Sequence, residues 1–301
     1  MKLLIVGAGG QLGRCLQDRL SNHDVFETVA LSSADLDITV RDLVGSSIKA
    51  VAPDIVINAA AYTAVDQAED DPDGAYAVNA SGTENLALAC AAADIPLIHV
   101  STDYVFNGEA TVPYGSESAT APIGVYGESK LRGEKLAAEA LDKLIILRTA
   151  WVYSEYGNNF VKTMLRLAES RDLVSVVDDQ FGCPTYAGNI AAAIIKVCES
   201  IMAGNSSWGV YHYVDDQPMS WHAFAEKTFS MAKDINLLTK DMQVKAIPTS
   251  EFPTKVKRPA YSVLDTSTLT TQFSISPVDL DISLESVLRR LGALTHGCLD
   301  A

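Results

Sequence analysis

Short runs of β-branched and other apolar residues punctuate the first half of the chain, and between them lie Ala- and Leu-rich stretches with apolar positions three and four residues apart. The runs predict strands over Lys2–Val6, Glu27–Leu31, Ile55–Asn58, 97–101 and 144–148. The helical spacing predicts helices over Gln11–Leu20, 73–92 and 126–140. Strand and helix in strict alternation imply an α/β fold, a doubly wound parallel sheet of the Rossmann kind. After about residue 150 the pattern loosens. The aromatic, Gly/Asn-rich 151–160, the segment 178–186 and the Pro-rich 247–259 read as loops that carry function.

Composition narrows the class. With 301 residues and 48% hydrophobic residues the chain can bury a substantial core. The first apolar run stops at Gly7, and no run approaches the ~18 residues of a membrane span, so a cytoplasmic protein with no membrane partner is expected. Lys and Arg number 23 against 38 Asp and Glu, a formal charge of −15 that repels polyanions and argues against a nucleic-acid partner. Cys15, Cys90, Cys183, Cys198 and Cys298 show no CxxC spacing and read as reduced thiols.

Gly7, Gly10 and Gly13 follow the first predicted strand and open the first helix, where glycines serve a dinucleotide's pyrophosphate. Gly7 suits the sharp turn, Gly10 the approach of phosphate to backbone, and Gly13 close packing of helix on strand. Gln11 and Leu12 supply the first helical N–H groups, which face negative charge favourably. The second strand ends in Leu31, Ser32 and Ser33 without the carboxylate that holds a free ribose 2′-hydroxyl. Ser32 and Arg14 therefore mark the 2′-phosphate end, and NADPH is expected ahead of NADH, although Arg14 also suits a solvated first turn. Asp37 and Ile38 fall at the adenine end, with Asp37 accepting from an adenine amine or capping the next helix. Ala60, Ala61, Tyr62 and Thr63 follow the third strand, where small side chains admit the nicotinamide half. The expected division is a dinucleotide-binding domain over 1–150 and a smaller, mainly substrate-binding α/β part over 151–301, some of whose segments return to the Rossmann core.

Tyr126 and Lys130 form YxxxK on one helical face. A nearby ammonium favours phenolate and brings a tyrosine towards use as a proton shuttle, while also reaching the cofactor's ribose. Thr102, Asp103 and Tyr104 sit at the carboxyl end of a strand, where open parallel sheets place ligands; Thr102 is expected to bond the tyrosine hydroxyl or a carbonyl, and Asp103 a sugar hydroxyl. His99 reads as a satisfied core histidine, and Asn79 as a structural tie between the central helix and neighbouring strands.

Beyond these motifs, the segments GQLG at 10–13, DIVINAAAYTAVD at 54–66, STDYVF at 101–106, VYGESK at 125–130, RTAWVY at 148–153, GNNFVKTMLRL at 157–167, DQFGCPT at 179–185 and Arg258-Pro259 resemble the dTDP-4-dehydrorhamnose reductases, extended short-chain dehydrogenases, over nearly the whole chain. The resemblance implies a nucleotide-sugar substrate, reduction of the 4-keto group of dTDP-4-dehydro-6-deoxy-L-mannose, Tyr126 as proton donor with Lys130 and Thr102 beside it, and sugar contacts from Asp103, Tyr104 and Trp151. Some such reductases are joined as dimers through magnesium held by glutamates; Cys15 and Gly188 stand at the corresponding places here. Neither side chain is a hard-cation ligand, so no metal is expected, and the chain is expected to be a monomer or a dimer without a magnesium bridge. Two alternatives keep the fold: another nucleotide-sugar enzyme such as a 4-epimerase, and a non-catalytic dinucleotide-binding regulatory subunit.

Overall fold

Strands β1 (Lys2–Val6), β2 (Glu27–Leu31), β3 (Ile55–Asn58), β4 (Leu97–Thr102) and β5 (Leu144–Thr149) pair in parallel in the computed structural model, which describes residues 1–21 and 23–296. A sixth strand, Gly209–His212, joins alongside β5 and completes the sheet in the order Gly209–His212, β5, β4, β3, β1, β2. The chain leaves β1 to one side for β2 and to the other for β3, so the crevice at their carboxyl ends is a topological switch point. Alternate residues explain the two layers. Leu3, Ile5, Ile55, Ile57, Ile98 and Ile145 face α1 (Gln11–Leu20) and the helix Ala187–Met202. Leu4, Val6, Val56, Leu97 and Ile146 face α2 (Arg41–Val51) and the helices Thr83–Ala93 and Val125–Ala140.

The helix expected over 73–92 is broken. Pro72–Tyr76 passes into a π-turn, Ala77–Gly82, before Thr83–Ala93 resumes ordinary winding. The wider turn carries Asn79, whose amide donates to the Tyr62 carbonyl at 3.1 Å and to Ser129 Oγ at 3.0 Å and accepts from the Tyr62 N–H at 2.8 Å. The central helix is thereby tied to the segment after β3 and to the helix Val125–Ala140.

That last helix lies unusually close to its neighbours. A Cβ on Gly127 would collide with the Tyr104 carbonyl, and one on Gly133 with the Asn79 carbonyl. Its register against β5 is held by a buried fork: Arg148 Nε donates to Glu134 Oε1 at 3.0 Å and Nη2 to Oε2 at 2.6 Å, with the Arg148 guanidinium over the Phe106 ring.

The remaining chain builds a second layer from the helix Phe160–Ser170, the parallel pair Leu173–Val177 and Gln243–Ile247, and the helix Trp221–Asp234. The segments 151–160 and 178–186 are pinned by two-residue pairings, Val152–Tyr153 with Thr185–Tyr186 and Phe181–Gly182 with Met219–Ser220. The C-terminal helix Leu280–His296 packs Leu280, Leu284, Val287 and Leu288 into the core. Cys15, Cys90, Cys183 and Cys198 are buried free thiols, and Cys298 lies outside the described residues. Among the described residues no helix is long and apolar enough to cross a membrane.

Breaking a buried pair from one side leaves an uncompensated charge, at a cost of about 3–5 kcal/mol. Glu134→Gln is therefore expected to lower unfolding stability on that scale in urea titrations, whereas Glu285→Gln, which breaks the exposed Arg289–Glu285 pair, should change it by less than about 1 kcal/mol.

Candidate active site

A cleft of about 570 Å³ opens along the carboxyl ends of β1, β3, β4 and β5. At its floor the chain turns from β1 into α1. Gly7 has φ +84°, and a Cβ there would approach the Ala60 nitrogen to 2.5 Å; a Cβ on Gly13 would collide with the Gly7 carbonyl and Ala8. Those two glycines are demanded by packing. Gly10 is different: a Cβ would meet only the Gly7 carbonyl at 3.5 Å, and Gly10 caps α1 with no side chain over the helix's free N–H groups. Gly10, Gln11 and Leu12 line the cleft, so the helix end presents open backbone to an anion. This cradle fits a dinucleotide's pyrophosphate. Ser101 Oγ and Thr149 Oγ1, buried deeper in the same cleft without hydrogen-bond partners, offer polar contacts further along it.

After β3 the alternation of an extended segment sorts the side chains. Ala59, Ala61 and Thr63 line the cleft. Ala60 packs into the apolar layer beside α2, and Tyr62 packs with Ala68, Ala75 and Tyr126, so of the expected four only Ala61 and Thr63 present their side chains.

Four further residues expected at the cofactor sit outside the lining. Arg14 is exposed and stacks over the Tyr156 ring at 5.4 Å. Ser32 closes a turn in which Asp35 Oδ2 accepts from the Ser32 N–H at 2.9 Å and hydroxyl at 2.6 Å, bringing to the end of β2 a carboxylate that β2 itself lacks. Asp37 does not cap the next helix, whose N-cap is Val40: its Oδ1 accepts from the Thr39 hydroxyl at 2.7 Å and N–H at 2.9 Å, which hold its carboxyl below the ordinary value. Ile38 is buried beneath the π-turn, where a Cβ on Gly82 would strike it.

Thr102, Asp103, Tyr104, Tyr126, Lys130 and Trp151 converge on the opposite wall. Thr102 Oγ1 donates to Asp103 Oδ1 at 3.0 Å and accepts from the Tyr104 N–H at 3.2 Å. Burial raises the Tyr126 phenol well above its ordinary value, and the bond with Thr102 is what opposes that rise. The expected partner, Lys130, bonds elsewhere: its Nζ donates to the Val100 carbonyl at 2.7 Å and meets His99 Nε2 at 3.2 Å. Sharing a helical face with Tyr126 did not give Lys130 a hydrogen bond to the phenol; among the described residues its Nζ bonds the Val100 carbonyl and His99 instead. Asp103 is buried, and desolvation pushes its carboxyl up to about 6.

Trp151 adopts φ +46°, a strained conformation for a bulky residue, and stacks on Trp221 with ring centroids 3.4 Å apart. A Cβ on Gly182 would run into its indole. Trp221 was invisible to motif reading, and Gly182, though part of the DQFGCPT segment, carried no sign there that it faces Trp151. The segment Ser154–Asn159 is fastened to the glycine turn: Ser154 Oγ and Asn159 Nδ2 both donate to Gln11 Oε1, at 2.9 and 3.0 Å. Gly157 and Asn158 thereby reach the cleft. Beyond Tyr104 lies a second cavity of about 530 Å³, apolar along Phe160, Met164, Leu167, Val174, Val176 and Phe252, with Arg171 and Arg258 at its edge. Arg258 donates to the Tyr104 hydroxyl at 3.0 Å and to Asp66 Oδ2 at 2.5 Å.

No divalent cation was expected around Cys15 and Gly188, and the surroundings of these two residues are built from other groups. Cys15 is a buried thiol pushed up to about 12, a Cβ on Gly188 would collide with the Tyr186 ring, and Arg290 pairs with Glu155, which also accepts from the Tyr186 hydroxyl at 3.2 Å. Asp18 accepts from Tyr156 at 2.6 Å. A guanidinium already neutralises Glu155, and Asp18 is engaged by the Tyr156 hydroxyl, so these residues do not fit a divalent cation.

A family model described as the RmlD substrate binding domain matches residues 1–292. The dTDP-4-dehydrorhamnose reductase of Aggregatibacter actinomycetemcomitans is 45% identical over 287 residues, 95% of this chain and 98% of that protein. The crystal structure of a dTDP-4-dehydrorhamnose reductase from Clostridium acetobutylicum superposes with a TM-score of 0.90 at 37% identity, covering 97% of this chain and 99% of that one. The Bacillus anthracis reductase in complex with NADP gives 0.89 at 37% identity, over 96% and 99% of the two chains.

Two contrasts check the site. Gly10→Val should leave stability unchanged yet weaken dinucleotide binding at least about tenfold by calorimetry, ~1.4 kcal/mol, whereas Gly13→Ala should cost about 1–3 kcal/mol of stability through overpacking. Asp103 provides a pH test. Its folded-state value lies above the ordinary 3.8, so the native state holds the proton more tightly and stability is forfeited as pH rises from about 4 to about 6, by roughly 3 kcal/mol in total. Asp103→Asn should accordingly be more stable than the parent above pH 6, with the difference shrinking towards pH 4 in denaturant titrations.

Proposed function

The chain belongs to the dTDP-4-dehydrorhamnose reductase family, and from that membership we propose that it reduces the 4-keto group of dTDP-4-dehydro-6-deoxy-L-mannose to dTDP-L-rhamnose. It is an NAD(P)H-dependent oxidoreductase of the Rossmann type. The observation that carries the chemistry is the convergence of Thr102, Tyr126 and Lys130 in one cleft with an uncapped helix end. Residues 1–150 supply most of the dinucleotide cradle, and the sugar nucleotide is gripped mainly from 151–301.

When bound, the dinucleotide supplies a hydride to the carbonyl carbon. The chain's own part is to hold the sugar and deliver a proton. Tyr126, kept as a phenol by burial, gives its proton to the carbonyl oxygen as negative charge develops there. Lys130, lining the same cleft, meets the ribose hydroxyls and, while it carries charge, favours the phenolate through space rather than by a direct bond. Asp103 and Tyr104 meet the sugar from the end of β4, and the Trp151 indole, backed by Trp221, forms a flat wall for the deoxysugar face. The nucleotide end enters the neighbouring cavity, where apolar side chains suit a base and Arg171 and Arg258 suit the diphosphate.

NADPH is proposed ahead of NADH because β2 ends without an acidic residue and the NADP complex of the Bacillus anthracis relative shows that cofactor in a closely similar fold. The Asp35 carboxylate opposes this preference only in part, since Oδ2 is engaged by Ser32. We infer further that the chain is a monomer or a dimer without a magnesium bridge.

Incubating the purified protein with dTDP-4-dehydro-L-rhamnose and either reduced dinucleotide should consume cofactor one-for-one with sugar, faster with NADPH. Tyr126→Phe should bind dinucleotide normally and lose about 10² or more in turnover. Absence of oxidation from a protein that binds the dinucleotide would remove this reading and leave the epimerase or regulatory alternatives.

A further inference from the structure

Lys130, His99 and Asn58 form a chain in which every member is at most 1% exposed. Lys130 Nζ is 2.7 Å from the Val100 carbonyl and 3.2 Å from His99 Nε2; His99 Nδ1 is 3.0 Å from Asn58 Nδ2; and Asn58 Oδ1 accepts from the Ala60 N–H at 3.1 Å. The backbone fixes the direction of this chain. Because Ala60 donates to Oδ1, the Asn58 amide must turn its nitrogen to the ring, and an amide nitrogen only donates. Nδ1 is then the acceptor, and a neutral imidazole that accepts at Nδ1 carries its proton on Nε2. That proton points at Lys130. An ammonium has no lone pair to receive it, whereas a neutral amine does and can still donate to the Val100 carbonyl. Protonating the ring instead is opposed first by burial and then by Lys130 itself.

We infer that His99 is a positioning residue that holds Lys130 in place and favours its neutral amine, and so sets the pH range over which Lys130 carries charge in the proposed reduction. The lowered value of Lys130, about 8, agrees with this: burial is its main cause, and Glu134 opposes it. The charged and titratable groups around Nζ are few. Glu134 lies on the same helix and is forked to Arg148 of β5, Tyr126 lies one turn earlier, and Asp103 stands at the end of β4. No hydrogen bond joins any of these to Nζ among the described residues, so His99 is the side chain that decides which form fits.

The sign follows from the direction of the bond. A donor at Nε2 stabilises the amine and lowers the lysine, so removing the donor should keep Lys130 charged to higher pH. Two measurements test this, and the first does not need the enzyme to turn over. In protein labelled with [15N]histidine, long-range proton–nitrogen NMR should show His99 protonated at Nε2 and not titrating between about pH 6 and 8, a window that brackets the ordinary imidazole value. A ring protonated at Nδ1, or one that titrates, would overturn the inference whatever the substrate proves to be. In the second, His99→Phe should move the alkaline limb of kcat/KM up by about one pH unit, a tenfold gain in rate on that limb. His99→Gln, whose amide can accept from Asn58 and donate to Lys130, should restore the parent profile. A limb that stays in place in His99→Phe would equally refute the role. Loss of the proposed reductase activity altogether, with the Nε2 tautomer observed, would instead reject the substrate assignment and leave the His99–Lys130 assignment standing.

Discussion

Burying a lysine amine inside a β-sheet protein is the constraint around which the catalytic wall is arranged. Lys130 is 1% exposed, and an unpaired ammonium there would carry a heavy desolvation cost. The helix Val125–Ala140 has to come close enough to β4 for Nζ to reach the Val100 carbonyl, and that approach is possible only because Gly127 and Gly133 leave their neighbours' carbonyls unobstructed. The Glu134–Arg148 fork fixes the same helix against β5, and Asn79 fixes it through Ser129 to the π-turn. Three independent anchors therefore determine where the Tyr126 hydroxyl sits. Such redundancy is what the proposed role of proton donor requires, since displacement by about 1 Å can cost on the order of 100-fold in rate.

A second set of contacts joins the two halves of the cleft. Gln11 is at once the first residue of α1, where it faces the anion cradle, and the acceptor that receives both Ser154 and Asn159. Arg258 does the corresponding work at the far end, bonding Tyr104 after β4 and Asp66 after β3. Each side chain thus reports the position of one half of the site to the other. The sugar wall cannot shift without disturbing the turn that faces the pyrophosphate, which is the coupling a hydride transfer between two bound molecules needs.

The parallel core was legible because both of its signals are local. Strands buried on two faces read as short apolar runs, and all five predicted strands agree with the observed ones to within a residue at their carboxyl ends. The glycine turn was legible for the same reason, as Gly7, Gly10 and Gly13 act on atoms within a few residues or on the adjoining strand. What escaped was built from long-range contacts. The strand Gly209–His212 is four residues long and gains its identity only by pairing with β5. Trp221 lies 70 residues from Trp151, and Gly182 owes its small size to an indole that no motif connects to it. Ala60 and Tyr62 were assigned to the cleft as part of a block, whereas extended backbone sends alternate side chains to opposite sides. Ser32 and Asp37 show what motif reading leaves out: short polar side chains in turns also bond within the turn, here through Asp35 and Thr39.

Trp151 shows how the second half places strain where it is useful. A left-handed conformation at a bulky residue costs of order 1–3 kcal/mol and persists only where the surroundings over-determine it. Here the residue before it, Ala150, is buried, and the residue after it, Val152, is held in register with Thr185. Between these fixed points the chain must turn, and the positive φ lets the indole line the cleft while lying flat on Trp221, with Gly182 leaving the space it fills. An alanine at 151 would relieve packing demands and retain the backbone cost; a glycine would relieve the backbone cost and abolish the wall. Tryptophan at 151 packs on Trp221 and also leaves a flat apolar face towards the cleft, and the face of a deoxysugar in the proposed reaction is a partner that would suit it.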